Sequence, residues 1–136
     1  MAKPKAKAAQ PDLGNVKIRW AKDVAEHDYA SAEAYLSLRF DERRATKIVA
    51  RLRKAELTTR RANDILRAAG LEPVSLEDPG VIKDLIKVVE GKELSPVLVV
   101  PGDERPDVAD GFHRVSLVYR IDPYGDVPLR IADAGA

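Results

Sequence analysis

The sequence predicts an α+β fold in which a small mixed four-stranded sheet packs with about five helices. Residues 16–20 alternate apolar and polar side chains, which is the period of a half-buried β-strand. Three short apolar segments follow Pro96, and the part of the chain between these regions carries apolar residues at helical spacing. A chain of 136 residues has the size of one small domain.

Residues 1–14 are expected to form a flexible basic tail, because their lysines, alanines and prolines offer no apolar periodicity. A single domain then spans residues 15–136, with a helical insert at about 28–71 that follows the first strand. The sequence contains no internal repeat and no sign of a second domain.

Capping residues divide this insert into three helices. Asp28 and Asp41 precede apolar residues at helical spacing, and their side chains can accept hydrogen bonds from the first N–H groups of a helix. The third helix is expected to begin at Thr58 or Thr59 and to stop at Gly70, because glycine readily adopts the left-handed conformation that ends helices.

A fourth helix is predicted between Asp78 and Gly91. Asp78 is placed as its N-cap, Pro79 as its first helical residue and Gly91 as its C-terminal stop. Its apolar face is expected to consist of Ile82, Leu85, Ile86 and Val89.

The last part of the chain alternates strands with one helix. Strands are predicted at residues 97–100, 107–110 and 127–131, and with the first strand they would make the four-stranded sheet. A helix is predicted directly after the second of these strands. The segment Asp110-Gly111-Phe112-His113-Arg114 therefore stands at a strand-to-helix junction.

This junction has the chemistry of an anion site. The first N–H groups of a helix have no intrahelical partner and the helix dipole adds partial positive charge, so phosphate is favoured there. Gly111 lets the backbone approach a ligand, and His113 and Arg114 add one titratable and one permanent cation. Alternatively, the segment is only a tight turn in which Asp110 caps the helix and Arg114 forms a surface ion pair.

The stretch from Gly91 to Ile131 resembles the nucleotide-binding core of the ParB/sulfiredoxin superfamily, in a bacterial and phage subgroup. The resemblance is carried by Leu94-Ser95-Pro96-Val97-Leu98-Val99-Val100, by Asp110-Gly111-Phe112-His113-Arg114 and by Val127-Pro128-Leu129-Arg130-Ile131. It implies a ParB/sulfiredoxin-like fold in which Gly111, Phe112, His113 and Arg114 contact the phosphates of a nucleotide.

Differences from the better-known members of the superfamily limit the activities that we expect of this chain. Sulfiredoxins place their essential cysteine where this chain has Phe112, so we do not expect sulfinate repair. Free serine kinases of the superfamily share the Asp-Gly start and the final arginine, and they use a second acidic residue that the sequence does not locate. The resemblance implies a nucleotide hydrolase or phosphotransferase, or a domain that binds nucleotide without reaction. Asp110 is the candidate catalytic residue, and it would hold Mg²⁺ against the phosphates of a nucleoside di- or triphosphate.

A second hypothesis comes from the basic residues of the insert. Between Arg43 and Arg67, nine basic residues stand against two acidic ones. The candidate nucleic-acid contacts among them are Arg44, Lys47, Arg51, Lys54, Arg60 and Arg61. Two helices within residues 42–67 would then pair as a helix-turn-helix, in a non-enzymatic module that binds nucleic acid or an acidic protein. The alternative is a solvated helical face paired with acidic residues elsewhere.

Composition excludes several other classes. The chain has no cysteine, which rules out disulfides, thiolate metal sites and cysteine nucleophiles. Its net charge of +1 gives no overall attraction for nucleic acid, and no His, Asp or Glu spacing suggests a transition-metal site. No signal peptide or membrane-spanning run is evident, so we expect a cytoplasmic protein without membrane contact. The sequence specifies neither the base of the nucleotide nor the oligomeric state.

Overall fold

A computed structural model describes residues 16–102 and 104–135, and the tail predicted at residues 1–14 lies outside these ranges. The described residues confirm the α+β fold, with five helices, a four-stranded mixed sheet and a separate two-stranded sheet. In chain order the elements are β1 (Arg19–Trp20), α1 (Glu26–Arg39), α2 (Glu42–Lys54), β2 (Leu57–Arg61), α3 (Ala62–Ala69), α4 (Pro79–Val89), β3 (Glu93–Leu94), β4 (Val97–Val100), β5 (Asp107–Asp110), α5 (Phe112–Ile121) and β6 (Asp126–Ile131).

The four-stranded sheet has the strand order β2-β6-β4-β5. β6 runs antiparallel to β2 and parallel to β4, and β5 runs antiparallel to β4. In this register Leu98 of β4 pairs with Arg130 on one side and with Asp110 on the other. The strand that leads into the junction is therefore an edge strand held by the central β4.

The predicted membership of this sheet is wrong in one strand. Its fourth member is β2, where Thr58 or Thr59 was expected to start a helix. Pairing with β6 supplies backbone hydrogen bonds along the whole segment, and β-branched threonines suit a strand, so tertiary pairing overrides the helical pattern. The first strand instead forms the two-stranded sheet, in which Trp20 pairs in parallel with Leu94 of β3.

The helix ends follow most of the capping signals. The Asp41 side chain accepts a hydrogen bond from Arg44 N at 2.7 Å, and the Asp78 side chain accepts one from Gly80 N at 2.9 Å. Gly70, at φ +69°, ends α3 in the left-handed conformation. The prediction for Asp28 is wrong, because α1 begins at Glu26 and Asp28 lies inside it, buried.

Helices cover both faces of the sheet. Leu98 and Val100 of β4 pack against Leu36 of α1 and Leu52 of α2, and the alternate residues Val97 and Val99 pack on α3 and α5. All residues of β4 are buried, which explains why this strand is an unbroken apolar run. The junction at the end of β5 is thus attached to the most buried strand of the molecule.

The fourth helix turns a different face inward from the one expected. Val81 and Val88 are buried against Leu94 and Leu117, whereas Ile86 is 51% exposed and Val89 is 72% exposed. Apolar residues occur on two sides of α4, so their spacing alone does not select a face. This rotation buries Asp84, which becomes part of the candidate site.

Candidate functional site

The strand-to-helix junction has the backbone form expected of an anion site. β5 ends at Asp110 and Gly111 is the N-cap at φ +111°. No side chain of the described residues caps the helix. The first intrahelical bond runs from Val115 N to Gly111 O at 3.0 Å, so the three preceding N–H groups have no intrahelical acceptor. Asp110 does not cap this helix, contrary to the tight-turn interpretation.

Gly111 is required by its surroundings as well as by its backbone. A Cβ atom at this position would lie 2.7 Å from a methyl carbon of Val97 and 3.0 Å from Nη2 of Arg114. The junction therefore sits directly against β4, and the chain has no room for a side chain there.

Arg114 lies beneath the junction and is mostly buried, with 14% of its side chain exposed. Its Nη2 donates to Asp110 at 2.9 Å and to Asp28 at 3.3 Å, and it lies 3.5 Å from the carbonyl oxygen of Pro96. Burial raises the pKa of Asp110, and the hydrogen bond from Arg114 opposes that rise. The predicted ion pair thus exists, but it is buried, and a bound anion would share a guanidinium that already has two carboxylate partners.

His113 is held against the first turn of α4. Its Nε2 lies 3.3 Å from the Asp78 carboxylate, and its side chain is 49% exposed. A Cβ atom on Gly80 would lie 2.6 Å from the imidazole, so the glycine makes room for the ring. The N-cap of α4 therefore also orients the titratable residue of the junction.

Phe112 contributes to the core rather than to the surface of the junction. Its ring packs against the buried cluster formed by α3, α5 and the sheet, 5.6 Å from the His113 ring. Phe112 was predicted to contact phosphate. Because its ring lies in the core, it would make that contact through its backbone N–H group.

A cavity of about 280 Å³ opens beside the junction, between α4 and the start of α5. Its walls are formed by His27, Gly80, Lys83, Asp84, Lys87, Asp110, Gly111, His113 and Arg114. The residues of α4 that the sequence did not single out are Gly80, Lys83, Asp84 and Lys87. Their approach to the junction depends on the packing of α4 against α5, which no local pattern encodes.

Asp84 is the most unusual of these residues. It is only 9% exposed, and none of the ion pairs among the described residues includes it, although its carboxylate oxygens still reach the solvent of the cavity. Burial raises its pKa, while Arg114 and Lys87 act in the opposite direction. Asp84 has the helical spacing of Val81 and Val88, but the sequence carries no usable signal for it, because apolar residues on two sides of α4 leave the buried face undetermined.

The cavity does not form a complete metal site from protein ligands. Within residues 16–102 and 104–135, no three His, Cys, Asp or Glu side chains converge as metal ligands. One carboxylate oxygen of Asp110 is bonded to Arg114. A hydrogen bond from the Ser31 side chain also acts on this carboxylate, so Mg²⁺, which takes most of its ligands from phosphate and water, would have to share Asp110 with Arg114 and Ser31.

The basic residues of the second hypothesis do not form a helix-turn-helix, because β2 separates α2 from α3. Arg44 donates to Gly135 O at 2.7 Å and Arg51 donates to Ala134 O at 3.0 Å, so both hold the segment that follows β6. Arg60 bonds within its own strand, and the Arg61 guanidinium lies 5.9 Å from the Tyr124 ring centre.

Lys47 and Lys54 are exposed and take part in none of the ion pairs found among the described residues. The structure therefore divides the six candidate nucleic-acid contacts into four arginines with internal partners and two lysines that are exposed.

Among residues 16–102 and 104–135, no helix has both the length and the apolar character needed to cross a bilayer. Comparison of the chain with protein-family models, with curated proteins and with solved structures finds no match.

Proposed function

We propose that the chain binds the phosphates of a nucleoside di- or triphosphate in the cavity between α4 and the junction. The observation that carries the proposal is an uncapped helix N-terminus that opens on a cavity of about 280 Å³ bordered by Lys83 and Lys87. Unpaired N–H groups and two flexible ammonium groups suit a polyphosphate, whose oxygens need several donors.

The groups that line the cavity would have different roles in phosphate binding. The N–H groups of Phe112 and His113 would hold one phosphate, and Lys83 and Lys87 would neutralise the others. His113, oriented by Asp78, adds a donor when protonated. In this proposal Arg114 is a positioning residue that fixes Asp110 below the phosphates.

Asp84 is the residue best suited to acid–base chemistry in a hydrolase or phosphotransferase. A carboxylate with a raised pKa is a stronger base, so it accepts a proton from water or from a substrate hydroxyl more readily. Asp110 would bind Mg²⁺ together with phosphate oxygens, and the ion would neutralise phosphate charge there. Asp84 would also supply the second acid that the kinase members of the superfamily use.

The ParB/sulfiredoxin assignment is likewise a proposal. It is supported by the succession of a helix, β4, β5, a glycine-containing junction, α5 and β6, and by the parallel pairing of β4 with β6. A bacterial or phage origin rests on the same resemblance.

Thermal unfolding with ATP, ADP, CTP and GTP, each with and without Mg²⁺, tests the binding. A ligand at about 100 times its Kd stabilises the folded state by about 2.7 kcal/mol, so at least one nucleotide should raise Tm clearly. The double substitution Lys83→Ala/Lys87→Ala should remove most of that increase. Its matched control is Lys47→Ala/Lys54→Ala, which removes two exposed lysines from α2 and should leave the increase intact. No increase with any nucleotide would refute the proposal.

Release of inorganic phosphate from the stabilising nucleotide tests the reaction. Asp84→Asn should keep binding and lose phosphate release, and Asp110→Asn should remove the Mg²⁺ dependence of binding. If the wild type binds nucleotide but releases no phosphate, with or without an added alcohol as acceptor, the chain is a binding domain and not an enzyme.

A further inference from the structure

A second cavity shares no residue with the nucleotide cavity. It occupies about 300 Å³ between α3 and the ends of β4, β5 and β6. It exists because α3 presents Ala68 and Ala69 towards Pro101 and Pro106, and these short side chains do not fill the space between helix and sheet. Val108 and Ile131 consequently remain only half-buried.

The wall of this second cavity is almost entirely apolar. Ile65, Val99 and Leu129 form much of its floor, so water in the cavity would find few hydrogen-bond partners. An apolar cavity of about 150 Å³ is large enough to bind benzene, and small-molecule sites begin at about 300 Å³. The volume therefore suits an apolar body of about two fused rings.

Among the described residues, the mouth of the second cavity carries one cation, Arg60, without an acidic partner. Arg60 and Asp64 are its charged residues. Asp64 accepts from Arg67 at 3.1 Å in an exposed ion pair. Arg60 donates through Nη1 to Thr58 Oγ1 at 3.3 Å and to Thr59 O at 2.9 Å, and it forms no ion pair with any described residue. Its other guanidinium nitrogens can bind an anion at the edge of the apolar wall.

We propose that this second cavity binds a small aromatic carboxylate, with its rings against Ile65 and Leu129 and its carboxylate on Arg60. The site is independent of nucleotide binding, because its residues and those of the nucleotide cavity do not overlap. The cavity would select a ligand that combines an apolar ring system with one negative charge.

Calorimetry and two-dimensional NMR with 2-naphthoate and the neutral 2-naphthol as probes test the proposal. The wild type should bind naphthoate, with shift changes centred on Ile65, Ala68 and Val108. Arg60→Ala should weaken naphthoate binding about two- to fivefold, as expected for an exposed ion pair, and leave naphthol binding unchanged. Arg61 is the neighbouring residue of the same strand, so Arg61→Ala is the matched control. It should change the affinity for neither naphthoate nor naphthol.

Ala68→Phe is the variant that should block both probes, because it puts a ring into the cavity from an exposed helix position that tolerates a larger side chain. Circular dichroism of this variant should match the wild type. The proposal is overturned if neither probe binds the wild type, if Ala68→Phe binds both as well as the wild type, or if the shift changes map to another surface. Equal affinity of naphthoate for wild type and Arg60→Ala would overturn the carboxylate assignment.

Discussion

Nη2 of Arg114 lies 2.9 Å from Oδ2 of Asp110, across the residue that separates β5 from α5. Asp28 of α1 contacts the same nitrogen at 3.3 Å, so one guanidinium joins a helix on one face of the sheet to the junction on the other. The same contact supports the proposed phosphate site and the fold.

Arg114→Ala should destabilise the protein by about 3–5 kcal/mol, because it leaves the carboxylates of Asp28 and Asp110 buried without their cation. Denaturation by urea measures this loss. Arg67→Ala removes an exposed ion pair with Asp64 and should cost no more than about 1 kcal/mol. Similar losses in the two variants would contradict the assigned role of Arg114.

Gly111→Ala should cost more than Gly91→Ala. Both glycines have positive φ, at +111° and +78°, so each substitution costs about 1–2 kcal/mol in backbone conformation. At Gly111 the added methyl group would meet Val97, which adds a packing penalty of about 1–3 kcal/mol, whereas at Gly91 no atom of the described residues lies within 4 Å of it. If Gly111→Ala and Gly91→Ala have equal free energies of unfolding, the contact between Gly111 and Val97 of β4 can relax to admit a methyl group.

Asp84→Asn should raise the free energy of unfolding at neutral pH. Burial raises the pKa of Asp84 in the folded state above its ordinary value of 3.8, so the folded state binds this proton more tightly than the unfolded state. The resulting stability is present below that value and is lost as pH rises through the folded-state pKa.

Denaturation at a series of pH values should therefore show wild type and Asp84→Asn converging near pH 4 and separating as pH rises. Glu72→Gln, at an exposed position, is the control and should follow the wild type throughout. A variant less stable than the wild type at neutral pH would mean that Asp84 has a favourable partner in the folded protein.

Binding of DNA or RNA at about 50 mM salt tests the second hypothesis, because affinity that depends on phosphate contacts falls steeply with salt. We expect no binding above background, since Arg44 and Arg51 are bonded to backbone carbonyl groups. If binding occurs, it should be lost in Lys47→Ala/Lys54→Ala. Salt-dependent binding that instead requires Arg44 and Arg51 would contradict the structural role given to these arginines.

Local patterns predicted the features that depend on a few neighbouring residues. Gly70 ends α3 because glycine adopts the left-handed conformation at the end of a helix. Asp41 and Asp78 cap their helices as expected, because the side chain of an N-cap bonds N–H groups two or three residues away. The junction at Gly111 was predicted for the same reason, since the end of an apolar strand and the start of an amphipathic helix are adjacent in the chain. Whether this junction binds nucleotide stays a prediction.

By itself, then, the sequence determined the α+β class, three helix ends and the junction from Asp110 to Arg114. Only the tertiary structure decided that residues 57–61 join β6 as a strand, because the backbone partners of a strand are distant in the chain. It also decided which face of α4 is buried, and so placed Asp84 beside the junction. The groups that surround a buried charge come from elements distant in the chain, so the spacing of residues along one helix does not show which groups they are.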